Sequence, residues 1–438
     1  MTTNDATSDP RGAPLERDQF IPARKTDVLN ALIGKSPLDE AARGKFRQLC
    51  RMLASVFHYE YYDRLERLRD SYFYFNPELD SHTRFDSAAL DRAYSELIDA
   101  FAEVLKGANF VEVSQDEIER AHRESAVMRV SLKTPVEEFR DVRFYRRGRH
   151  VESFEVQKWY GLRRQNIDVE VYDDVILLVA MKSDDGLKPK RGFKRRQRHK
   201  IRPGCVLIKY FRNIASEDLN ALFPNVQIVM STVDKLVLGI PAIAGGIPII
   251  IQLASTATVL FAVLGFYLGI SGAVREDEVR TALAALSGFV ALGAFMTRQW
   301  VKYQRQSLKY HKQLSDNVYY RNVNNNAGIF DYMIGAAEDQ ECKESFLAYH
   351  FLLTAKHGST QPELDRQIEH WLKESFGLAV DFEVQDALDK LDRLGLLVRK
   401  DGNLTVASIE EALGILDRTW DDYFQFNLSR PREAAAES

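Results

Sequence analysis

LVLGIPAIAGGIPIIIQLASTATVLFAVLGFYLGISGAV, residues 236–274, is a block of 39 positions without a charged side chain. A second uncharged run, TALAALSGFVALGAFMT, follows at 281–297. Uncharged apolar runs of ~18 or more residues are typical of transmembrane helices. Because proline and glycine interrupt the start of the block, we expect two spans, at 253–273 and 279–301, that form a transmembrane hairpin. The segment 236–252 then lies at the interface or re-enters the membrane.

The charges around this block predict its orientation. Arg298, Lys302 and Arg305 follow the second run, and a basic segment precedes the first. Since positive residues stay on the inner side, both termini are expected in the cytoplasm. A third span at 239–253 would place them on opposite sides and remains an alternative. The N-terminus has no apolar signal core, and its acidic residues disfavour a transit peptide.

The whole chain has 438 residues and a net charge of −4, with 45% hydrophobic and 28% charged residues. This composition excludes a disordered chain and a polytopic transporter. The three cysteines, Cys50, Cys205 and Cys342, lie far apart, which excludes a disulfide scaffold. Small residues in the predicted spans could allow close helix packing, within the hairpin or between copies of a homo-oligomer. These candidate packing positions are Gly265, Gly269, Ala284 and Gly288.

Residues 1–19 are polar and are predicted to form a disordered tail, and residues 20–235 to form a soluble α+β domain. Apolar residues recur at helical spacing in 38–70 and 87–106, whereas strand-like alternation begins near residue 140. We expect turns at Arg147–Gly148 and at Asp173–Asp174, and an antiparallel sheet beside the helices.

A strongly basic segment interrupts the sheet region. Its candidate contacts with anionic lipid head groups or nucleic acid are Lys188, Lys190, Arg191, Lys194, Arg195, Arg196, Arg198, Lys200 and Arg202. An exposed loop without a ligand would have the same composition. Because Phe193 is the one aromatic residue there, a stacking platform for bases is not indicated, and nucleic acid is the less favoured partner.

Residues 302–337 read as a basic juxtamembrane linker or helix, 338–428 as a winged-helix-like domain, and 429–438 as a tail. The order in 338–428 is three helices, a hairpin with a Asp401-Gly402 turn, and a final helix. Residues 338–438 contain 11 basic and 21 acidic residues, a net charge of −10. A phosphate backbone would be repelled by this charge, so we expect the C-terminal domain to bind a protein partner.

No catalytic motif, cofactor-binding loop or metal-ligand spacing is present in the sequence. Glu341 and Glu344 lie three positions apart on a helix with Lys343 between them. Such a pattern is typical of a solvated helix face, so we expect both glutamates to be exposed to solvent. The sequence therefore predicts no catalytic, cofactor or metal residues.

Four sequence blocks resemble the transmembrane-protein-143-like family, also called domain of unknown function 3754. They are FIPARKTDVLNAL (20–32), VFHYEYYDRLERLRDSY (56–72), KYFRNIASEDLNALFP (209–224) and YYRNVNNNAGIFDYMIGAAEDQECKESFLAYHFLL (319–353). The resemblance implies an uncharacterised membrane protein without assigned catalytic residues. Eukaryotic members of the family appear in organelles, whereas the N-terminus of this chain favours an integral protein of the bacterial inner membrane. Its motif positions of unknown role are Tyr319, Tyr320, Asn325, Asn326, Glu341 and Glu344.

Together these patterns favour a non-enzymatic, membrane-anchored scaffold or adaptor whose soluble domains face the cytoplasm. A homo-oligomeric channel or transport component is the alternative. A membrane-tethered regulator that binds nucleic acid is a third interpretation.

Overall fold

The computed structural model of the chain describes residues 17–79, 86–114, 116–118, 130–133, 136–158, 163–183, 201–224, 227–230, 259–269, 275–400 and 402–423. Two compact units are present. The first comprises Met1–Ser114, Val136–Ser216 and Arg321–Ser438, and the second comprises Gln115–Pro135 and Glu217–Tyr320.

Among the described residues, the longer helices are α1 (Lys25–Lys35), α2 (Glu40–Phe73), α3 (Ser87–Gly107), α4 (Glu276–Arg321), α5 (Gly328–Thr354), α6 (Gln361–Phe376), α7 (Val384–Arg393) and α8 (Ile409–Asp422). The strands are β1 (Val111–Glu112), β2 (Val130–Lys133), β3 (Phe139–Lys158), β4 (Arg163–Met181), β5 (Val206–Ala215), β6 (Gln227–Met230), β7 (Asn322–Asn325), β8 (Leu397–Lys400) and β9 (Asn403–Val406).

The first unit contains a five-stranded antiparallel sheet in the order β1-β3-β4-β5-β7, and β8 and β9 form a separate hairpin. In the second unit, β2 pairs with β6. The prediction of an α+β protein with an antiparallel sheet is therefore confirmed.

Helices α2 and α5 form the centre of the first unit, because each contributes side chains to two hydrophobic clusters. In one cluster they pack with α1, α6, α7 and α8 around residues such as Phe46 and Leu388. In the other they pack with α3 and one face of the sheet around Phe101 and Tyr210. Helices from the two ends of the sequence thus share a core, whereas the sequence-based division into 20–235 and 338–428 stays a prediction.

The winged-helix prediction is not supported, although the predicted order of elements is present. Helices α5, α6 and α7 precede the β8–β9 hairpin and α8. A winged helix would bury its apolar faces mainly among its own helices. Here the same core includes Leu32 of α1 and Leu53 of α2, so these helices complete a larger assembly.

The predicted two-helix transmembrane hairpin is wrong. Among the described residues, one helix is long and apolar enough to cross a membrane, the segment Glu276–Lys302 of α4, which contains the predicted span 279–301. In the predicted span 253–273, residues 259–267 are helical, and the helix ends there. Gly269 has a φ of +75°, a left-handed conformation that terminates helices. In the described part of 253–273, an uncharged composition was therefore not sufficient for a continuous helix.

The two turns predicted at Arg147–Gly148 and Asp173–Asp174 are wrong, because both positions lie within paired strands. Strands β3 and β4 run continuously through both positions, with Arg147 opposite Asp174 and Arg149 opposite Tyr172. Gly148 and Asp173 therefore lie opposite each other, and the register does not shift there. Gly148 has a φ of +68°, and a Cβ atom there would overlap the Asp173 carboxylate. The positive φ and the close approach of Asp173 both require glycine at this position.

We expect Gly148→Ala to lower stability by about 1–3 kcal/mol, because alanine is strained at positive φ and its Cβ has no room. The matched control is Gly44→Ala in α2, where a Cβ would meet nothing within 4 Å. That change should be neutral or stabilise by up to about 1 kcal/mol. Thermal unfolding of the full chain, followed by circular dichroism, measures both, and an equal effect of the two changes would contradict the requirement for glycine at Gly148.

Candidate functional site

The centre of α5 has no solvated face. Every residue from Gln340 to His350 is buried. Glu341 and Glu344 are 8% and 2% exposed, so the expectation that they lie on a solvated face is wrong. The expectation fails because other helices cover α5 on all sides. A helix in this position has both its polar and its apolar side chains buried.

A single ammonium group compensates these carboxylates. The Nζ atom of Lys390 on α7 lies 2.7 Å from Glu341 Oε2, 2.5 Å from Glu344 Oε2 and 2.5 Å from Asp386 Oδ2. The Lys390 side chain is 9% exposed, which means that the ion pairs are largely removed from water. We call Lys390, Glu341, Glu344 and Asp386 the lysine cluster. It ties α5 to α7 through charge-assisted hydrogen bonds.

Neutral donors occupy the remaining carboxylate oxygens of Glu341 and Glu344. Tyr61 of α2 donates its hydroxyl to Glu341 Oε1 at 3.0 Å. Asn109 and Gln340 donate their amides to Glu344 Oε1 at 3.0 and 3.1 Å. The cluster therefore also reaches α2 and the end of α3, so four helices meet at one set of charges.

The environment keeps the lysine charged and the tyrosine neutral. Burial alone would lower the pKa of Lys390, but Glu344, Glu341 and Asp386 raise it well above its ordinary value. Burial raises the pKa of the Glu341 carboxyl, an effect that Lys390 opposes. Burial and the Glu341 charge together raise the pKa of Tyr61. A protonated amine has no free lone pair, which excludes Lys390 as a nucleophile near neutral pH.

A pocket of about 230 Å³ opens beside the lysine cluster. It is lined by Phe57, Glu60, Tyr61, Arg64, Glu341, Asp386, Asp389, Lys390 and Arg393. This volume is below the ~300–1,000 Å³ of typical ligand pockets and would hold a few waters, each with about 30 Å³.

The charged groups of the pocket already have protein partners. Arg393 donates to both oxygens of Glu60, at 2.5 and 2.9 Å. Within the described parts of the chain, no group of three or more His, Cys, Asp or Glu side chains is arranged to hold a metal ion. Lys390 occupies the place between the carboxylates that a cation would take. The arrangement can fix helices together, and it presents no free acid–base pair for catalysis.

A second buried network lies on the sheet and replaces the two predicted turns. Arg147 of β3 donates its Nε and Nη2 to Asp174 Oδ2 of β4, at 3.0 and 2.5 Å. Tyr210 of β5 donates to Asp174 Oδ1 at 2.5 Å and lies 2.7 Å from the Tyr332 hydroxyl of α5. Arg212 donates to both hydroxyls, at 2.7 and 3.0 Å. We call these five residues the arginine–aspartate network.

The segment before α1 connects the two networks. The Phe20 ring lies 4.1 Å from the Arg147 guanidinium and 5.4 Å from the Lys343 ammonium. Lys343, 2% exposed, donates to the carbonyls of Ile21 and Ala23 at 2.7 and 3.2 Å. Asn109 donates to the Gln19 carbonyl at 3.0 Å. The last residue of the predicted tail, residue 19, is therefore hydrogen-bonded to the turn that follows α3.

Asn325 and Asn326, which we call the asparagine motif, have a structural role. Asn326 has a φ of +52°, its backbone nitrogen donates to the Ile208 carbonyl at 2.7 Å, and its side chain donates to Glu78 at 2.6 Å. Asn325 belongs to β7 and pairs with Lys209 of β5. The motif therefore joins α5 to the edge of the sheet. Tyr320 at the end of α4 is 82% exposed, and Tyr319 belongs to α4, with its side chain outside the described set.

The other predicted site residues do not converge on either network. Most of the basic segment, from Lys188 to Lys200, lies outside the described residues, and Arg202 donates to the Leu79 carbonyl at 2.8 Å. Of the candidate packing positions, Ala284 is exposed, and Gly265 and Gly288 are half-buried. A Cβ at Gly269 would meet nothing within 4 Å, so its glycine serves helix termination.

Sequence reasoning missed Lys390, Asp386, Tyr61, Arg147, Asp174, Tyr210 and Tyr332. One signal was available for the arginine–aspartate network, since Asp173 and Asp174 interrupt an otherwise apolar strand, VYDDVILLVAM (171–181). Lys390 gave no such signal, because acids and bases alternate along the whole of α7.

The fold and these networks define an α+β protein whose helices and sheet are joined through buried, compensated charges. Residues 172–328 match the family model described as "Protein of unknown function (DUF3754)". The match includes Asp174, Tyr210, Arg212 and the asparagine motif. It ends before the lysine cluster. No solved structure matches the chain. The transmembrane-protein-143-like identity stays a resemblance.

Lys390→Met should destabilise the chain by about 3–5 kcal/mol, because it leaves buried carboxylates without a counter-charge. Without Lys390, burial would raise the folded-state pKa of Glu341 unopposed, so stability would fall as the pH rises from the unfolded-state value toward this pKa and recover in acid. We expect the deficit to be larger at pH 8 than at pH 5, measured by thermal unfolding. The control Glu341→Gln should cost less, because burial already disfavours its charge. Equal deficits at both pH values would count against the lysine cluster.

Asp174→Asn should also cost about 3–5 kcal/mol, since it leaves the Arg147 guanidinium buried without a carboxylate. The control Asp331→Asn removes an ion pair with Arg69 in which both side chains are about half exposed (64% and 46%). That change should cost less than about 1 kcal/mol. Urea unfolding midpoints of the two variants measure the difference, and similar midpoints would refute the importance of the buried pair.

Proposed function

We propose that the chain is a non-enzymatic adaptor that attaches to a lipid bilayer through α4 and binds a protein partner through its first unit. The lysine cluster and the arginine–aspartate network support the non-enzymatic part, because both hold elements together and neither presents an unpaired catalytic group. The location that we propose is the inner membrane of a bacterium.

The observation that carries the membrane proposal is the apolar surface of α4. The most apolar 18-residue stretch within Glu276–Lys302 has a mean hydropathy of 1.6, and 11% of that stretch is buried. Leu283, Val290 and Trp300 are 62%, 66% and 62% exposed. Exposed apolar surface on this scale is unfavourable in water and favourable in lipid. Residues 281–297 have no charge, which favours attachment over conduction of ions.

Basic residues next to this segment support contact with anionic lipid. Arg298, Lys302 and Arg305 are exposed on α4. Each basic residue near an anionic surface contributes about 1 kcal/mol of attraction. We extend the same proposal to the basic segment of residues 188–202, whose nine lysines and arginines are given above.

The surface of the first unit supports a protein partner over nucleic acid. On α7, Asp389 and Asp392 are exposed, while Lys390 is turned into the lysine cluster. Because Lys390 is buried, its positive charge does not lie on the exposed side of α7. Phosphate groups would be repelled by this surface.

Flotation of the full chain with phosphatidylcholine vesicles tests the attachment. The wild-type chain, reconstituted from detergent, should float with the lipid. Val290→Asp should reduce the floating fraction strongly, because a carboxylate at the centre of a bilayer helix costs about 2.5–3.5 kcal/mol. Arg305→Asp, outside the apolar segment, is the matched control and should float as the wild type does, because phosphatidylcholine has no net charge for Arg305 to attract. A wild-type chain that stays at the bottom, or a Val290→Asp chain that floats equally well, would overturn the proposal.

A further inference from the structure

Three aromatic rings meet on the surface of the first unit, where α2 packs against α8. The Tyr59 ring lies 4.4 Å from the Tyr423 ring and 6.1 Å from the Trp420 ring, measured between centroids. Trp420 and Tyr423 meet edge to face at 6.4 Å, with 85° between their planes. We call these three residues the ring cluster. Trp420 is 39% exposed, and the adjoining Tyr62 is 54% exposed.

The ring cluster has a fixed base. The Tyr423 hydroxyl donates to Glu60 Oε1 at 3.0 Å, and Glu60 is held by both Nη atoms of Arg393. Burial and the Glu60 charge raise the pKa of Tyr423 to about 12, so its ring stays neutral. The aromatic faces are therefore positioned before any ligand arrives, which lowers the entropic cost of binding.

Three carboxylates lie close to these rings along α2 and α8. Asp63 lies one helical turn from Tyr59 on α2, and Asp417 lies one turn from Trp420 on α8. Asp63, Asp417 and Asp421 are exposed. Within the described parts of the chain, none of the three has an ion-pair partner. The C-terminal end of α8, with its partial negative charge, also lies at Asp422.

Aromatic faces and carboxylates attract the same kind of group. The electron-rich face of tyrosine or tryptophan binds ammonium and guanidinium ions, and carboxylates add direct Coulomb attraction. An anionic lipid or a nucleic acid would meet the same carboxylates as repulsion. The chemistry of the surface thus selects a cation that carries some apolar surface, as lysine and arginine side chains do.

We propose that the ring cluster and its three flanking carboxylates bind a lysine or arginine side chain in a basic segment of a partner protein. This inference rests on the proposed adaptor function, for which it names the chemistry of the partner. It assigns the binding surface to the junction of α2 and α8 in the first unit.

The test uses the full chain in detergent micelles and a fluorescent nonapeptide rich in arginine, with a glutamate-rich peptide of the same length as the charge control. Fluorescence anisotropy measures binding at physiological ionic strength. The arginine-rich peptide should bind and the glutamate-rich peptide should not. Trp420→Leu and Asp421→Asn should each weaken binding by about 3- to 30-fold, the size of one cation–π or ion-pair contact.

Two matched controls keep the result specific. Phe73→Leu removes an aromatic residue of α2 that is 54% exposed, and Asp70→Asn removes an exposed carboxylate of the same helix. Both should bind within about twofold of the wild type. Because Asp421 is exposed, Asp421→Asn should keep the wild-type melting temperature, so lost binding in this variant cannot be attributed to unfolding.

Three outcomes would overturn the inference. They are a wild-type chain that does not bind the peptide, controls that weaken binding as much as the test variants, and a dimer that Trp420→Leu converts to a monomer in light scattering. Vesicle flotation separates this inference from the adaptor proposal. If the chain floats but does not bind the arginine-rich peptide, only the proposed binding of a basic partner is contradicted. If it binds the peptide but does not float, only the proposed membrane attachment is contradicted.

Discussion

The lysine cluster constrains the whole of the first unit, because a buried charge must be compensated where it lies. Lys390 is the positive charge nearest to three carboxylates, and it can satisfy them only when α5 and α7 are in register. Tyr61 and Asn109 then require α2 and the end of α3 to take their places around α5. Hydrophobic contacts alone tolerate small sliding of helices, whereas these hydrogen bonds have distances and directions that sliding would break.

The arginine–aspartate network joins the sheet to α5 in a similar way. Arg147 and Asp174 neutralise each other between neighbouring strands, and Tyr210 passes the contact to Tyr332 on α5. Phe20 and Lys343 connect this network to the segment before α1. Buried polar groups of this kind stabilise less than apolar packing would, but they discriminate strongly between the native arrangement and its alternatives. Leucine and phenylalanine side chains therefore stabilise the first unit by packing, whereas a few charged residues fix how its helices and strands align.

The sequence predicted what depends on local pattern. Alternation along β3, β4 and β5 indicated strands, and the order of α6, α7, β8, β9 and α8 followed from helical spacing and turn residues. The site depends on distant partners, and there the prediction failed. Glu341 and Glu344 look the same on a solvated face as in a core, since Lys390 lies 46 residues from Glu344 and Tyr61 lies 280 residues from Glu341. The hairpin prediction failed for a local reason, because Gly269 ends a helix inside a run that composition alone treats as uniform.

The distance between α2 and α5 along the chain also sets the order in which the protein can form during synthesis. Tyr61 leaves the ribosome 280 residues before Glu341, which at about 5–20 residues per second is roughly 14–56 s. Throughout that interval α2 has no partner for the face that α5 later covers, and the uncharged block of residues 236–274 emerges before the core can close. The nascent chain thus exposes its most apolar stretch before α2 can pack against α5. During this period a chaperone or the membrane surface would have to shield that stretch.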